Sequence, residues 1–211
     1  MSDKIAYLSS AYLAPVEYYS KLLHYSKVYI EQCDHYMKQT YRNRCNIASP
    51  NGILPLSIPI VRPETLKCAM KDIRISDHGN WRHLHWNAIE SAYNNTPFYE
   101  YYKDDFRPFY EDKYTFLADY NEQLCHLICN LIGIDTEIKR TEEYKTGFAG
   151  NECDFRDAIH PKKNSALVDA EFQVIPYYQV FEGKHGFLPN LSIIDLLFNM
   201  GPEALLVLQK S

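Results

Sequence analysis

The chain has 211 residues, 46% of them hydrophobic, and a formal net charge of −5 at pH 7. That length supports one substantial core and is short for two, and a mild acidic excess argues against a broad grip on nucleic acid, which needs a basic patch. No window approaches the roughly 20 apolar residues of a membrane span, and residues 1–10 lack the basic segment and apolar run of a signal peptide.

Six cysteines (33, 45, 68, 125, 129 and 153) form no CxxC pair and no regular framework. Reduced thiols and a cytoplasmic location are therefore expected. The unusual component is tyrosine: 18 of them, beside eight histidines, supply apolar bodies with hydrogen-bonding tips. Such residues suit cores close to polar sites and surfaces that bind sugars.

In chain order, residues 4–9 (KIAYLS) read as a short strand. Pro15 sits at the first position of a helical segment that puts Val16, Tyr19, Leu22 and Leu23 on one face. Residues 27–31 (KVYIE) read as a second strand. Strand, helix and strand over this length make a βαβ unit, so parallel strands and a right-handed crossover are predicted. Open parallel sheets bind ligands beyond the carboxyl ends of their strands. Those ends fall at 9–14 and 32–44.

The segment 36–60, YMKQTYRNRCNIASPNGILPLSIPI, is the most distinctive in the chain. Read as extended structure, Arg42 and Arg44 point to one face, and Tyr41, Asn43 and Cys45 to the other. Neighbouring guanidiniums repel each other. They fit a solvated face, or a site that holds a carboxylate, phosphate or sugar phosphate. Pro50-Asn51-Gly52 marks a turn, and the prolines of LPLSIPI confine that run to an edge or an irregular strand. Residues 72–76 (DIRIS) read as a further strand.

From Asn80 the pattern becomes helical, with Trp81, Leu84, His85, Ala88 and Ala92 at helical spacing. Thr96 and Pro97 look like the N-cap and first residue of a helix reaching about Glu111. Leu117, Tyr120, Leu124, Leu127, Ile128 and Leu131 form the clearest apolar stripe, which Gly133 ends. TEIKRT reads as a strand. Residues 141–176 are polar and aperiodic, the composition of a long functional loop or lid. Ser192 and Asp195 have capping-box spacing before IIDLLFNM, Gly201 stops that helix, and Pro202 opens a last one. The prediction is a single α/β domain over 1–211, with a partly parallel sheet flanked by helices and a helical middle section.

Several blocks together resemble the WbqC-like family: AYLAPVEYYSKLLHYSKVYIE, KQTYRNRCNIASPNG, LSIPI, WRHLHWNAIESAYNNTPFYEYY and LPNLSIIDLLFNMGPEA. They span nearly the whole chain, and RNR…PNG followed by HW…Y…PF is the specific part of the match. Many members carry Gln-Pro after the first strand, where this chain has Ser9-Ser10-Ala11. The resemblance implies a bacterial protein of O-antigen (lipopolysaccharide) or other surface-polysaccharide gene clusters. Its implied activity is transfer of an acyl or aminoacyl group, such as glycyl, onto an amino sugar, with a sugar or nucleotide-sugar ligand. Among the residues, the resemblance adds Gln179 and Asn199 as ligand contacts.

Arg42, Asn43 and Arg44 are the leading candidates to hold an anionic group; the alternative is a solvated face or an internal ion pair. His85 shares the apolar stripe of its helix and could serve as a general base, or be a core histidine with one hydrogen bond. Trp86 and Tyr93, beside it, could orient a ligand, and Arg156 and His160 could close over one. Cys45 beside Arg44 could be a thiolate whose pKa neighbouring guanidiniums lower, giving a cysteine hydrolase with His85; a buried, inert thiol is the default. Cys125, His126 and Cys129 lack further ligands for a tetrahedral metal site, so no metal is assigned. The sequence names no cofactor and no oligomeric state. It leaves two rivals to the transferase: a non-catalytic sugar-nucleotide-binding or scaffolding protein, and the cysteine hydrolase.

Overall fold

The computed structural model describes residues 4–63, 65, 67–162 and 169–211. Its backbone is α/β. Strand β1 (Ile5–Ser9), helix α1 (Val16–His24) and strand β2 (Lys27–Glu31) form the expected βαβ unit, with β1 and β2 parallel and in register from Ile5↔Lys27 to Ser9↔Glu31. Pro15 lies just outside α1, as its N-cap residue. Two later strands flank this pair, β5 (Glu137–Arg140) beside β2 and β6 (Glu152–Asp154) beside β1, both parallel. The order β5-β2-β1-β6 sends all four carboxyl ends to one edge.

Strands β3 (Arg44–Ser49) and β4 (Gly52–Ser57) stand apart as an antiparallel hairpin closed by Pro50 and Asn51. Gly52 takes φ +98°, a conformation that glycine adopts without Cβ strain. Pro55 is tolerated because β4 pairs on one side alone. The segment read as a strand at 72–76 makes isolated bridges instead, Ile60 to Ile75 and Arg74 to Phe116.

The helical middle comprises α2 (Trp81–Tyr93), α3 (Tyr99–Phe106), α4 (Pro108–Glu111) and α5 (Leu117–Ile132). A single helix was expected from 97 to 111. The break falls at Arg107, where the proline of α4 lacks the N–H that would continue the ladder. Gly133 ends α5 with a left-handed cap, as its position suggests. The carboxyl-terminal part holds α6 (Glu182–His185), α7 (Ile193–Met200) and α8 (Ala204–Lys210). Part of the 141–176 stretch, residues 163–168, lies outside the described residues; within the remainder, β6 is a strand that the aperiodic sequence did not announce.

Fully buried Tyr12, Tyr19, Tyr93, Tyr99 and Tyr120 pack with Phe106, Phe198 and the aliphatic faces of α1, α5 and α7. Many of the tyrosines thus build the core. Phe198 alone touches the rings of Tyr93, Tyr99 and Phe106 at 5.3–5.4 Å, and such edge and tilted pairs add to their area burial. All six cysteines are free, and among the described residues no helix is long and apolar enough to cross a membrane.

Candidate functional site

The carboxyl edge of the parallel sheet opens into a cleft of about 370 Å³, lined in part by Cys33, Asp34, Arg42, Tyr144, Arg156 and Asp157. Each wall comes from a strand end. Glu31 closes β2 with no solvent exposure. Its Oε1 accepts from Thr141 Oγ1 (2.7 Å) and the Cys33 amide (2.9 Å), and its Oε2 accepts from Arg156 Nη1 (2.8 Å). Arg156, just beyond β6, also grips Asp154 with Nε and Nη2, both at 2.8 Å. Its guanidinium lies against the rings of Tyr144 and Phe148 at 4.7 and 5.2 Å. A buried cation with two carboxylates and two aromatic faces is held in one orientation.

Arg42 and Asp34 form the second pair. Arg42 Nη2 bonds Asp34 Oδ2, and the residues are 3% and 9% exposed. Asn121, from α5, fixes the turn carrying Arg42 by donating Nδ2 to the Arg42 carbonyl (2.8 Å) and to Ser10 Oγ (3.0 Å). Unlike the Arg156 cluster, this pair is incomplete: Asp34 Oδ1 and Arg42 Nε are buried without a hydrogen-bond partner. Burial pushes the Asp34 carboxyl above its ordinary range even though the Arg42 guanidinium pulls it down. The site therefore holds a fixed carboxyl group with one oxygen tied to Arg42 and the other buried and unpartnered.

The residues singled out in the sequence go to several places. Arg42 reaches the cleft and Arg156 forms its wall. Arg44 does not join them: β3 begins at Arg44, so the extended alternation assumed for 41–45 fails, and Arg44 instead donates Nε to Ser57 Oγ (3.0 Å) across the hairpin. Asn43 ties the hairpin base, giving Nδ2 to the Ile58 carbonyl at 2.8 Å. Trp86 lies half-buried at a different cleft, between α2 and α4, packed on Tyr99 and Tyr110. His160 accepts the Lys162 amide at 3.0 Å.

His85 is 6% exposed, and its Nδ1 shares a hydrogen bond with Tyr12 Oη (3.0 Å), which meets Tyr110 Oη (2.9 Å). Burial lowers its pKa to about 4. The imidazole is thus neutral at pH 7 and faces the core, away from the sheet-edge cleft. Cys45 is wholly buried in the β3–β4 ladder, and burial pushes its thiol far up rather than down. This agrees with the default of a buried, inert thiol and leaves the hydrolase reading without its nucleophile.

Tyr93, Gln179 and Asn199 meet around Asp195, which is fully buried. Asp195 Oδ1 accepts from Tyr93 Oη (3.0 Å), and Oδ2 accepts from Tyr177 Oη (2.7 Å) and Gln179 Nε2 (2.9 Å). Gln179 also bonds both ways with Leu188, and Asn199 Oδ1 accepts the Val180 amide. These contacts strap residues 177–188 onto α7. The expected capping box is absent: Ser192 Oγ donates to the Leu13 carbonyl, and the Asp195 carboxylate turns inward.

Sequence reasoning overlooked Asp34, Glu31, Asn121 and Tyr144. The first two carried a usable signal, since Glu31 ends the β2 run and Asp34 follows it, on the ligand side of a parallel strand. Among the described residues no group of three or more His, Cys, Asp or Glu side chains could hold a metal ion.

Over 221 aligned residues the chain is 26% identical to the uncharacterized protein Rv1507c of Mycobacterium tuberculosis, covering 95% of each chain. No solved structure matches it. A profile of the WbqC-like protein family matches residues 10–156 and 156–207, nearly the full length. The chain belongs to the WbqC-like protein family.

Proposed function

We propose that this protein is a transferase of cell-surface polysaccharide biosynthesis. It moves an acyl or aminoacyl group onto the amino group of a sugar, with the sheet-edge cleft as its active site. The resemblance to O-antigen-cluster proteins supports the sugar context. The observation that carries the chemistry is the Asp34 carboxyl, one oxygen buried and unpartnered, on a residue that lines a cleft at the carboxyl ends of parallel strands.

In this reading Asp34 takes the role first given to His85. The sugar nitrogen uses its lone pair to form a bond to the carbonyl carbon of the donor, and its N–H becomes acidic as that bond forms. Asp34 Oδ1 accepts the proton, while Arg42 on Oδ2 fixes the carboxylate. The bond from acyl carbon to leaving group then breaks, and its electron pair departs with the leaving group. Burial of Asp34 raises its basicity toward working pH, which favours proton transfer. Tyr144, 52% exposed at the rim, offers a ring face to the sugar.

The test begins with a thermal-shift screen of nucleotide-sugars and acyl donors, because a ligand that binds the native state raises apparent stability. With the stabilising pair in hand, Asp34→Asn should lower turnover by about 10²- to 10⁴-fold, the usual range for a general base, while the shift persists. Full turnover in Asp34→Asn defeats the assignment. A non-catalytic sugar-nucleotide-binding role would use the same cleft without needing Asp34 as a base. That role stands if wild-type protein binds both ligands and forms no product.

A further inference from the structure

A second cleft, of about 460 Å³, lies between α2 and α4 and shares no lining residue with the sheet edge. Its walls include Arg82, His83, Trp86, Asn87, Arg107 and Lys113. We propose that this cleft binds a phosphate monoester carried on a ring, with the phosphate among Arg82, Arg107 and Lys113 and the ring against Trp86. This inference does not rest on the transferase reading.

The charge arrangement argues for a dianion. The three cations are held by two carboxylates: Asp77 accepts from both Arg82 Nη1 (2.6 Å) and Lys113 Nζ (2.9 Å), and Glu111 accepts from Arg107 Nε (2.6 Å). Lys113 and Arg107 are 78% and 59% exposed along their side chains, so their pairs are solvated and exchange at little cost. A carboxylate has two oxygens, enough for two cations as Asp77 shows, whereas a phosphate monoester dianion has three and can engage all three cations.

Arg82 adds a sharper observation. Its guanidinium sits 4.9 Å from the Trp81 ring, and its Nε and Nη2 are buried with no hydrogen-bond partner. Unsatisfied charged donors are costly, and an anion at the cleft would lower that cost. The amino end of α2 opens at the same place, through lining residues Asn80 and Arg82, and its first turn holds no acidic residue. The partial positive charge of that helix end favours the same ligand. Trp86 is half-buried and backed by Tyr110, a rigid apolar face, while Asn87 and His83 supply polar edges for ring hydroxyls or a base.

Isothermal titration with four probes tests this: glucose 1-phosphate, uridine monophosphate, inorganic phosphate and glucose. One or both ring-bearing phosphates should bind, weakening as salt rises, and inorganic phosphate and glucose should bind at least about tenfold more weakly. Whichever ring phosphate is tighter identifies the source as a sugar phosphate or a nucleotide. Arg107→Gln and Lys113→Gln, both at exposed positions, should each cost about tenfold in affinity. Tyr144→Ala, which removes the ring face at the sheet-edge cleft, should leave this affinity unchanged, which separates the two clefts. Equal binding of inorganic phosphate and the ring phosphates, or unaltered affinity in both cation variants, overturns the proposal.

Discussion

Two buried carboxylates divide this molecule into a part that holds itself together and a part that leaves something undone. Asp195 is surrounded by Tyr93, Tyr177 and Gln179, and both its oxygens are satisfied without any cation. Asp34 has a cation, Arg42, yet keeps one oxygen unpaired at a cleft. Charge alone therefore does not mark a site. What separates the two clusters is whether the hydrogen-bonding inventory closes, since an orphaned buried atom is costly to a protein that gains nothing else from it.

The comparison is broken most forcefully at Asp195. Asp195→Ala should destabilise by about 4 kcal/mol, because three buried donors lose their acceptor and α7 loses its strap; an unchanged urea midpoint would show the cluster to be dispensable. Its titration gives the next largest effect. Burial raises the Asp195 pKa from 3.8 to about 6 despite the three donors that lower it. The folded state then holds the proton more tightly than the unfolded one. Its contribution to stability is present below pH 4 and is lost as pH rises through about 6, amounting to about 3 kcal/mol. Asp195→Asn should flatten that part of the stability-pH curve, measured by urea denaturation from pH 4 to 7.

At Asp34 the pattern should differ. Arg42→Met leaves a buried carboxylate without its cation and should cost about 3 kcal/mol, but the double change Arg42→Met/Asp34→Asn should return most of it. A double variant no better than the single one would mean that the pair serves stability, as Asp195 does. The smallest effect belongs to Arg44. Arg44→Gln should change stability by less than about 0.5 kcal/mol and leave ligand-induced thermal shifts intact, since its bond to Ser57 lies at the surface.

Local periodicity made much of the fold legible. The runs KIAYLS and KVYIE, and the stripe ending at Gly133, became β1, β2 and α5 because each element is specified by its own residues. β6 escaped notice because three residues carry no period, and its pairing with β1 comes from remote sequence. The site was legible in part. Parallel topology pointed to the residues after β2, and Arg42 lies there. Arg156 was legible as a residue that could close over a ligand, but its pairing with Glu31, and that of Asp34 with Arg42, depends on burial and remote contacts. Without burial information Cys45 stayed a choice between thiolate and inert thiol, and His85 one between base and core residue, while the resemblance alone offered as ligand contacts Gln179 and Asn199, which fasten the chain to α7.

The sheet edge also has a bearing on how the protein is made. Glu31 and Arg156, which bond beside the cleft, are separated by 125 positions, and β1 finds β6 at a similar remove. Contacts so distant form slowly, after the loop entropy between them has been overcome. A ribosome-bound chain released at residue 140 would carry β1, β2 and Arg42, yet would lack β6 and Arg156 and hence a cleft wall. Any ligand of that cleft would therefore be captured only after the last strand docks, so that acquisition of binding would report on closure of the sheet.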